Sequence, residues 1–207
     1  MIALENILLD VKQGDNLLEA LQRVGMDMIP SNVILNKVLP GLGATHAEII
    51  APRNSIIIEP NVPVIKGKVK KYDDLKSLGI YEGVTQIHVQ KYLCDDSIPL
   101  KKIITTPEGF SKIRGAAKKV GIDIYTDYFC MFDECEKLIQ DNKYRPKITN
   151  PVEDFFKFDR KAFVSATPLD IQHPEIINFH KLLVNPVFEY KKRYRTYCYK
   201  RLCHCVK

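Results

Sequence analysis

Six short apolar runs divide this chain: NVILNKVL, NSIIIE, LGIY, KKIITT, DYFCMF and KAFVSAT. Each is shorter than a usual helix and too continuously apolar for a strand with one wet face. Runs rich in Ile and Val suit strands buried on both faces, which is the environment of a parallel sheet covered by helices. Helical signals lie between them. PEGFSKIRGAAKKVG has a proline in its first turn and Gly121 at its end. Upstream, Asp15 can cap a helix whose apolar positions Leu17, Leu18, Leu21, Val24 and Met28 recur at helical spacing, ending near Pro30. Strand alternating with helix predicts an α/β domain with a mainly parallel central sheet flanked by helices.

With 207 residues, 45% of them hydrophobic, the chain can bury one sizeable core. No stretch approaches the roughly 20 apolar residues of a membrane span. The start, MIALENILLDVKQGD, lacks the basic end and apolar run of a secretory signal, so no membrane partner and a cytoplasmic location are expected. The six cysteines form no CxxC pair and read as reduced thiols; Cys203, His204 and Cys205 lack the second spaced pair of a structural zinc site. The formal charge of +6 is uneven, because residues 191–207 carry seven Lys and Arg and no acid. That tail reads either as an out-of-frame or truncated end or as a nucleic-acid-seeking extension.

In parallel α/β sheets ligands bind beyond the carboxyl ends of the strands. The segments directly after the apolar runs are therefore the ones to weigh: PGLGATHAE, PNVPVIKGK, TPEGF, DECEK and SATPL. Taken singly, each has a local explanation. Gly41 and Gly43 can make a strand-to-helix turn. Asp133, Glu134 and Glu136 can sit in a helix first turn, Ser165 and Thr167 can cap, and Pro107 can start a helix.

Their order is more specific. From about residue 31 to residue 170 the chain resembles the first RecA-like motor domain of superfamily-two helicases. PGLGAT is similar to motif I, SIIIEPNVPVIKGK to motif Ia, IITTPEGF to motif Ib, MFDECEK to the DExH form of motif II and VSATPL to motif III. GIYEG resembles a short strand and glycine found in many members. The resemblance implies a RecA-like P-loop NTPase fold over 31–170, a helical lead-in over 1–30, and a linker helix with a basic tail over 171–207. It implies that Gly41, Gly43, Ala44 and Thr45 face a nucleotide, that Thr45 and Asp133 hold magnesium, and that Glu134 orients or deprotonates the attacking water. Ser165 and Thr167 would couple that site to nucleic acid. Pro60, Asn61, Gly83, Thr106 and Pro107 would lie on loops contacting the sugar–phosphate backbone of single-stranded DNA or RNA.

Three departures qualify these expectations. Ala44 stands where motif I normally has its lysine, so Mg–ATP is expected to bind weakly or not at all, and hydrolysis to be lost. Lys37 is a candidate to compensate for that charge but is expected in the preceding strand, and Lys66 and Lys68 are expected in another loop. Glu136 replaces the His or Asp usual at the fourth position of motif II. Nothing after residue 170 resembles motifs IV to VI, so a second RecA-like domain would have to come from a longer protein. The same residues also fit a non-catalytic nucleic-acid or protein-binding module that kept the fold.

Overall fold

The computed structural model describes residues 6–137, 149, 151–167 and 173–189. Eight strands form a single sheet: β1 (Asn6–Val11), β2 (Val33–Asn36), β3 (Ser55–Ile58), β4 (Leu78–Ile80), β5 (Lys102–Thr105), β6 (Phe129–Phe132), β7 (Arg160–Ser165) and β8 (His180–Pro186). Every pairing is parallel, in the order β1-β8-β2-β7-β6-β3-β5-β4. The helices are α1 (Leu17–Arg23), α2 (Ala44–Ile50), α3 (Val62–Lys71), α4 (Gln86–Leu93), α5 (Phe110–Val120), α6 (Ile124–Asp127) and α7 (Val152–Phe156). The fold is α/β of the RecA-like or Rossmann type, and all six apolar runs supply strands.

Strand order dictates which face each helix covers. The chain moves one way across the sheet from β1 to β2, β2 to β3 and β3 to β4, and the other way in every later connection. Because parallel crossovers are right-handed, the two directions put their helices on opposite faces. Two apolar clusters result. One joins α1, α2 and α3, through Leu17, Leu21, Ala47, Ile49 and Ile65, to Leu35, Ile57, Met131 and Val164 of the sheet. The other joins α4 to α7, through Val89, Phe110, Ile113, Ile124 and Phe155, to Ile56, Ile103, Phe132 and Phe163. Alternate residues of β3 and β6 thus enter opposite cores, and both strands are buried at all four positions.

Both flanks of the 31–170 segment belong to the same sheet. The lead-in contributes edge strand β1 before α1, which Asn16 caps rather than Asp15. HPEIINFHKLLVNP, expected as a linker helix, is a 3₁₀ turn over Pro174–Asn178 followed by β8, inserted between β1 and β2. The reason lies in alternation: Leu182 and Val184 are buried while Lys181, Leu183 and Asn185 are exposed, a period of two that fills a sheet and not a helix face. Lys66 and Lys68 likewise stand on helix α3 and not on a loop. No helix among the described residues is long and apolar enough to cross a membrane. Cys94, Cys130 and Cys135 are free thiols; Cys198, Cys203, His204, Cys205 and the basic tail lie outside the described residues.

Candidate functional site

Parallel strands bring the residues just beyond their ends to one edge. Register pairs Asn36 with Ser165, Phe132 with Phe163 and Ile58 with Phe132, so Lys37, Ser165, Asp133 and Glu59 leave neighbouring strands at the same end of the sheet. The connections from β3 and β6, which are adjacent, run off in opposite directions. Between such strands a crevice opens at the carboxyl edge. Glu59 follows one of them and Asp133 the other.

The loop from Lys37 to Gly43 closes over this edge. Lys37 N donates to Ser165 O at 2.8 Å, fixing the start of the loop to β7. Gly41 and Gly43 have φ of 77° and 88°, left-handed values that favour glycine, and a Cβ at Gly41 would meet nothing within 4 Å. Backbone conformation and not crowding is therefore what requires glycine there. Gly43 leads directly into α2. Ala44 is buried within the apolar cluster, and Thr45 is buried with its hydroxyl turned to the sheet edge.

Four polar side chains converge here. Thr45 Oγ1 donates to Asp133 Oδ2 at 2.7 Å, joining positions 88 residues apart in sequence. Lys37 Nζ donates to Asp133 Oδ1 at 2.9 Å and to Glu134 Oε1 at 3.0 Å. Glu134 takes a left-handed φ of 52°, which turns the chain directly after Asp133, and its own N–H donates to Asp133 Oδ1 at 2.9 Å. Lys37 and Asp133 are only 5% and 2% exposed. Burial alone would lower the pKa of Lys37, but the charges of Asp133 and Glu134 outweigh it and hold the ammonium above the ordinary lysine range.

Glu59 adds a third carboxyl to this edge. Its Oε1 accepts from the backbone N and the side-chain Nδ2 of Asn61, at 2.9 and 3.0 Å. Burial, helped by the negative charge of Asp133, pushes its pKa up to about 7. On α3, half-buried Lys68 lies in the field of the same groups, although burial lowers its pKa. Oxygen donors of this kind suit a hard divalent cation. Among the described residues no group of three or more His, Cys, Asp or Glu side chains forms a metal site by itself.

Beside this group, Ser165 Oγ donates to Glu136 Oε2 at 2.7 Å, and Thr167 N donates to Ser165 Oγ at 3.0 Å. Burial holds the pKa of Glu136 above the ordinary carboxylate value, against the opposing pull of the Ser165 hydrogen bond. Cys135 is buried, and its thiol and backbone N–H both point to Val164 O. The unusual fourth residue of DECE is thus a direct partner of the SAT serine.

The residues expected on nucleic-acid loops all lie just past the ends of β3, β4 or β5, but they differ in exposure. Gly83 is exposed and left-handed, with φ of 86°, and Asn61 is half-buried as the N-cap of α3. Pro60, Thr106 and Pro107 are buried, and Thr106 Oγ1 accepts from Gly109 N at 3.1 Å. Sequence alone does not mark Glu59 as a site residue; the signal that could find it is a charged residue directly after a fully apolar run. Lys37, expected within the preceding strand, is the first residue beyond it. Compared with known proteins, the chain matches no family model and no curated sequence.

Proposed function

We propose that this chain is a helicase-like nucleic-acid-binding domain, equivalent to the first RecA-like motor domain of superfamily-two helicases, with a degenerate magnesium–nucleotide site at the carboxyl edge of its sheet. The observation that carries this reading is the 2.7 Å hydrogen bond from Thr45 to Asp133. In a P-loop site these two groups share the cation, the hydroxyl from the glycine loop and the carboxylate from the strand of motif II. Nothing in a generic α/β turn requires them to meet.

On this reading Thr45 and Asp133 hold magnesium, which would neutralise charge on the bound phosphates. The loop from Gly41 to Thr45 lies against the phosphates, and Glu134, about one-third exposed, orients or deprotonates water. Ser165, Thr167 and Glu136 form the link between that site and the neighbouring strand ends. The loops after β3, β4 and β5 would face the backbone of a single strand, giving binding with little base preference.

Fluorescence anisotropy with a labelled single-stranded oligonucleotide, at low and moderate salt and with or without Mg–ATP, tests the reading. Binding should weaken steeply with salt, because phosphate contacts release counterions. Absence of binding to both the oligonucleotide and Mg–ATP at low salt would refute it.

A further inference from the structure

We propose that Lys37 supplies the phosphate-site cation that position 44 lacks, so that the charge of the motif I lysine has moved from the start of the helix to the end of the preceding strand. The inference rests on the nucleotide reading of the site.

Lys37 is the first residue after β2, and the glycine loop begins with it. A lysine buried this deeply is costly unless it is fully used. Its two carboxylate partners, Asp133 and Glu134, are those assigned to magnesium and water, not a separate structural pair. The backbone holds it there by two means. Its N–H is bonded to Ser165 O, and the next residue, Val38, takes a φ of 53°. A β-branched residue in the left-handed region is strained, and such strain persists where the surrounding structure fixes the chain for a purpose. Val38 N is also bonded to Asn36 Oδ1 at 3.1 Å, so the turn is anchored on both sides of Lys37.

Position 44 offers no substitute, since Ala44 packs into the apolar cluster. Lys66 and Lys68 come from α3; Lys66 Nζ lies over the Tyr81 ring at 5.0 Å, and Lys68 lies in the field of the site. Without nucleotide, Lys37 neutralises Asp133 and Glu134. With magnesium and nucleotide bound, Asp133 and Glu134 would be neutralised by the cation, and the Lys37 ammonium would be available to phosphate oxygens.

The test compares the unmodified chain with Lys37→Met and Lys37→Gln, titrated calorimetrically with Mg–ATP and, separately, with Mn²⁺ alone. Gln keeps a hydrogen-bond donor for Asp133 and so preserves the fold if Met does not. Both variants should bind Mg–ATP about 10- to 100-fold more weakly, the loss expected for a hydrogen bond to a charged group. Mn²⁺ alone should bind them at least as tightly as it binds the unmodified chain, because a competing cation has been removed. Mg–ATP affinity within about threefold of the unmodified chain would overturn the role of Lys37. So would a parallel loss of Mn²⁺ and Mg–ATP, which would make Lys37 a structural ion-pair partner. If the unmodified chain itself binds no Mg–ATP, the nucleotide reading has failed, and the inference falls with it.

Discussion

Two buried charge clusters occupy opposite ends of the sheet, and α2 serves both: Thr45 reaches the carboxyl edge, and Glu48, one turn later, the amino edge. At the amino edge Glu48 accepts from Arg53 Nε and Nη2 at 3.0 and 2.6 Å and from Ser55 Oγ at 2.5 Å. Arg53 also donates to Ile29 O and lies over the Phe129 ring at 3.4 Å. Lys102 spends its three N–H groups on Glu48 O, Ala51 O and Ser55 Oγ. This cluster has two cations and one carboxylate, and its surplus positive charge ends on neutral oxygens. The carboxyl-edge cluster is the reverse: Lys37 faces two carboxylates, with Glu59 close by. One arrangement is saturated, and the other leaves negative charge for an incoming cation. Burial of charge does not distinguish the two clusters; the sign of the uncompensated charge does.

The largest effect should come from breaking the saturated cluster. Arg53→Ala leaves Glu48 fully buried without its salt-bridge partner, Lys102 being the one cation left in the cluster, and should destabilise the fold by about 3–5 kcal/mol in denaturant unfolding. Lys37→Gln should cost less, about 1–3 kcal/mol, because a donor remains and Glu134 can turn to water. The reverse order would mean that the carboxyl-edge cluster is the structural anchor.

The clusters should also respond oppositely to pH. Glu59 has a folded pKa of about 7 against an ordinary 4.5, so the folded state holds the extra proton between those values. Its contribution to stability is present below about pH 4.5 and is lost as pH rises towards 7. Lys102, pushed down to about 8 from 10.5 by burial, is the opposite case: the unfolded chain holds the extra proton, so stability rises as pH goes from about 8 to 10.5. Each swing should be at most about 3–4 kcal/mol. Unfolding free energy against pH, compared for the unmodified chain, Glu59→Gln and Lys102→Met, checks this. Each substitution should remove only its own slope, and a Glu59→Gln profile that keeps the acid-side slope would remove Glu59 as its source.

A smaller effect separates shape from ligand binding. Thr45→Val keeps the volume but removes the donor to Asp133, and should cost about 1.5 kcal/mol of stability. Thr45→Ser should restore both stability and the magnesium dependence of ATP binding in a calorimetric titration. Equal ATP binding with and without magnesium in the unmodified chain would separate Thr45 and Asp133 from any metal role.

The strands are legible in the sequence because burial on both faces leaves a continuous Ile- and Val-rich run, as in SIII and FCMF. The positions of Gly41, Gly43, Asp133 and Ser165 at one edge come with them, since each stands at or just beyond a strand's end. β8 is less legible because HKLLVNP alternates only over a few positions and is mixed with helix-compatible residues. Lys37 is masked for a different reason: a residue in an apolar run is expected to belong to the strand, and only the turn at Val38 shows that the strand has already ended. The Glu48 cluster is invisible for a third reason, since a glutamate on a helix is ordinarily a solvated one.

Val38 gives the finest test, because strain and function meet in one residue there. Lys76 has a similar φ of 47° but lies exposed at the end of a 3₁₀ turn, outside both charge clusters. Glycine adopts such a conformation without a Cβ penalty, so Lys76→Gly should stabilise the fold by about 0.5–1 kcal/mol. Val38→Gly gains the same relief but loses the contacts its half-buried side chain makes with the apolar cluster, so its net change should be within about 0.5 kcal/mol of zero. The two differ in what they release. Lys76→Gly frees only a surface turn, whereas Val38→Gly loosens the residue that aims Lys37, and Mg–ATP affinity should fall several-fold at nearly unchanged stability. Thermal unfolding and nucleotide titration on the two variants decide the matter. If Val38→Gly is stabilised as much as Lys76→Gly and binds Mg–ATP as the unmodified chain does, the strain at Val38 is incidental and Lys37 is held by its ion pairs alone.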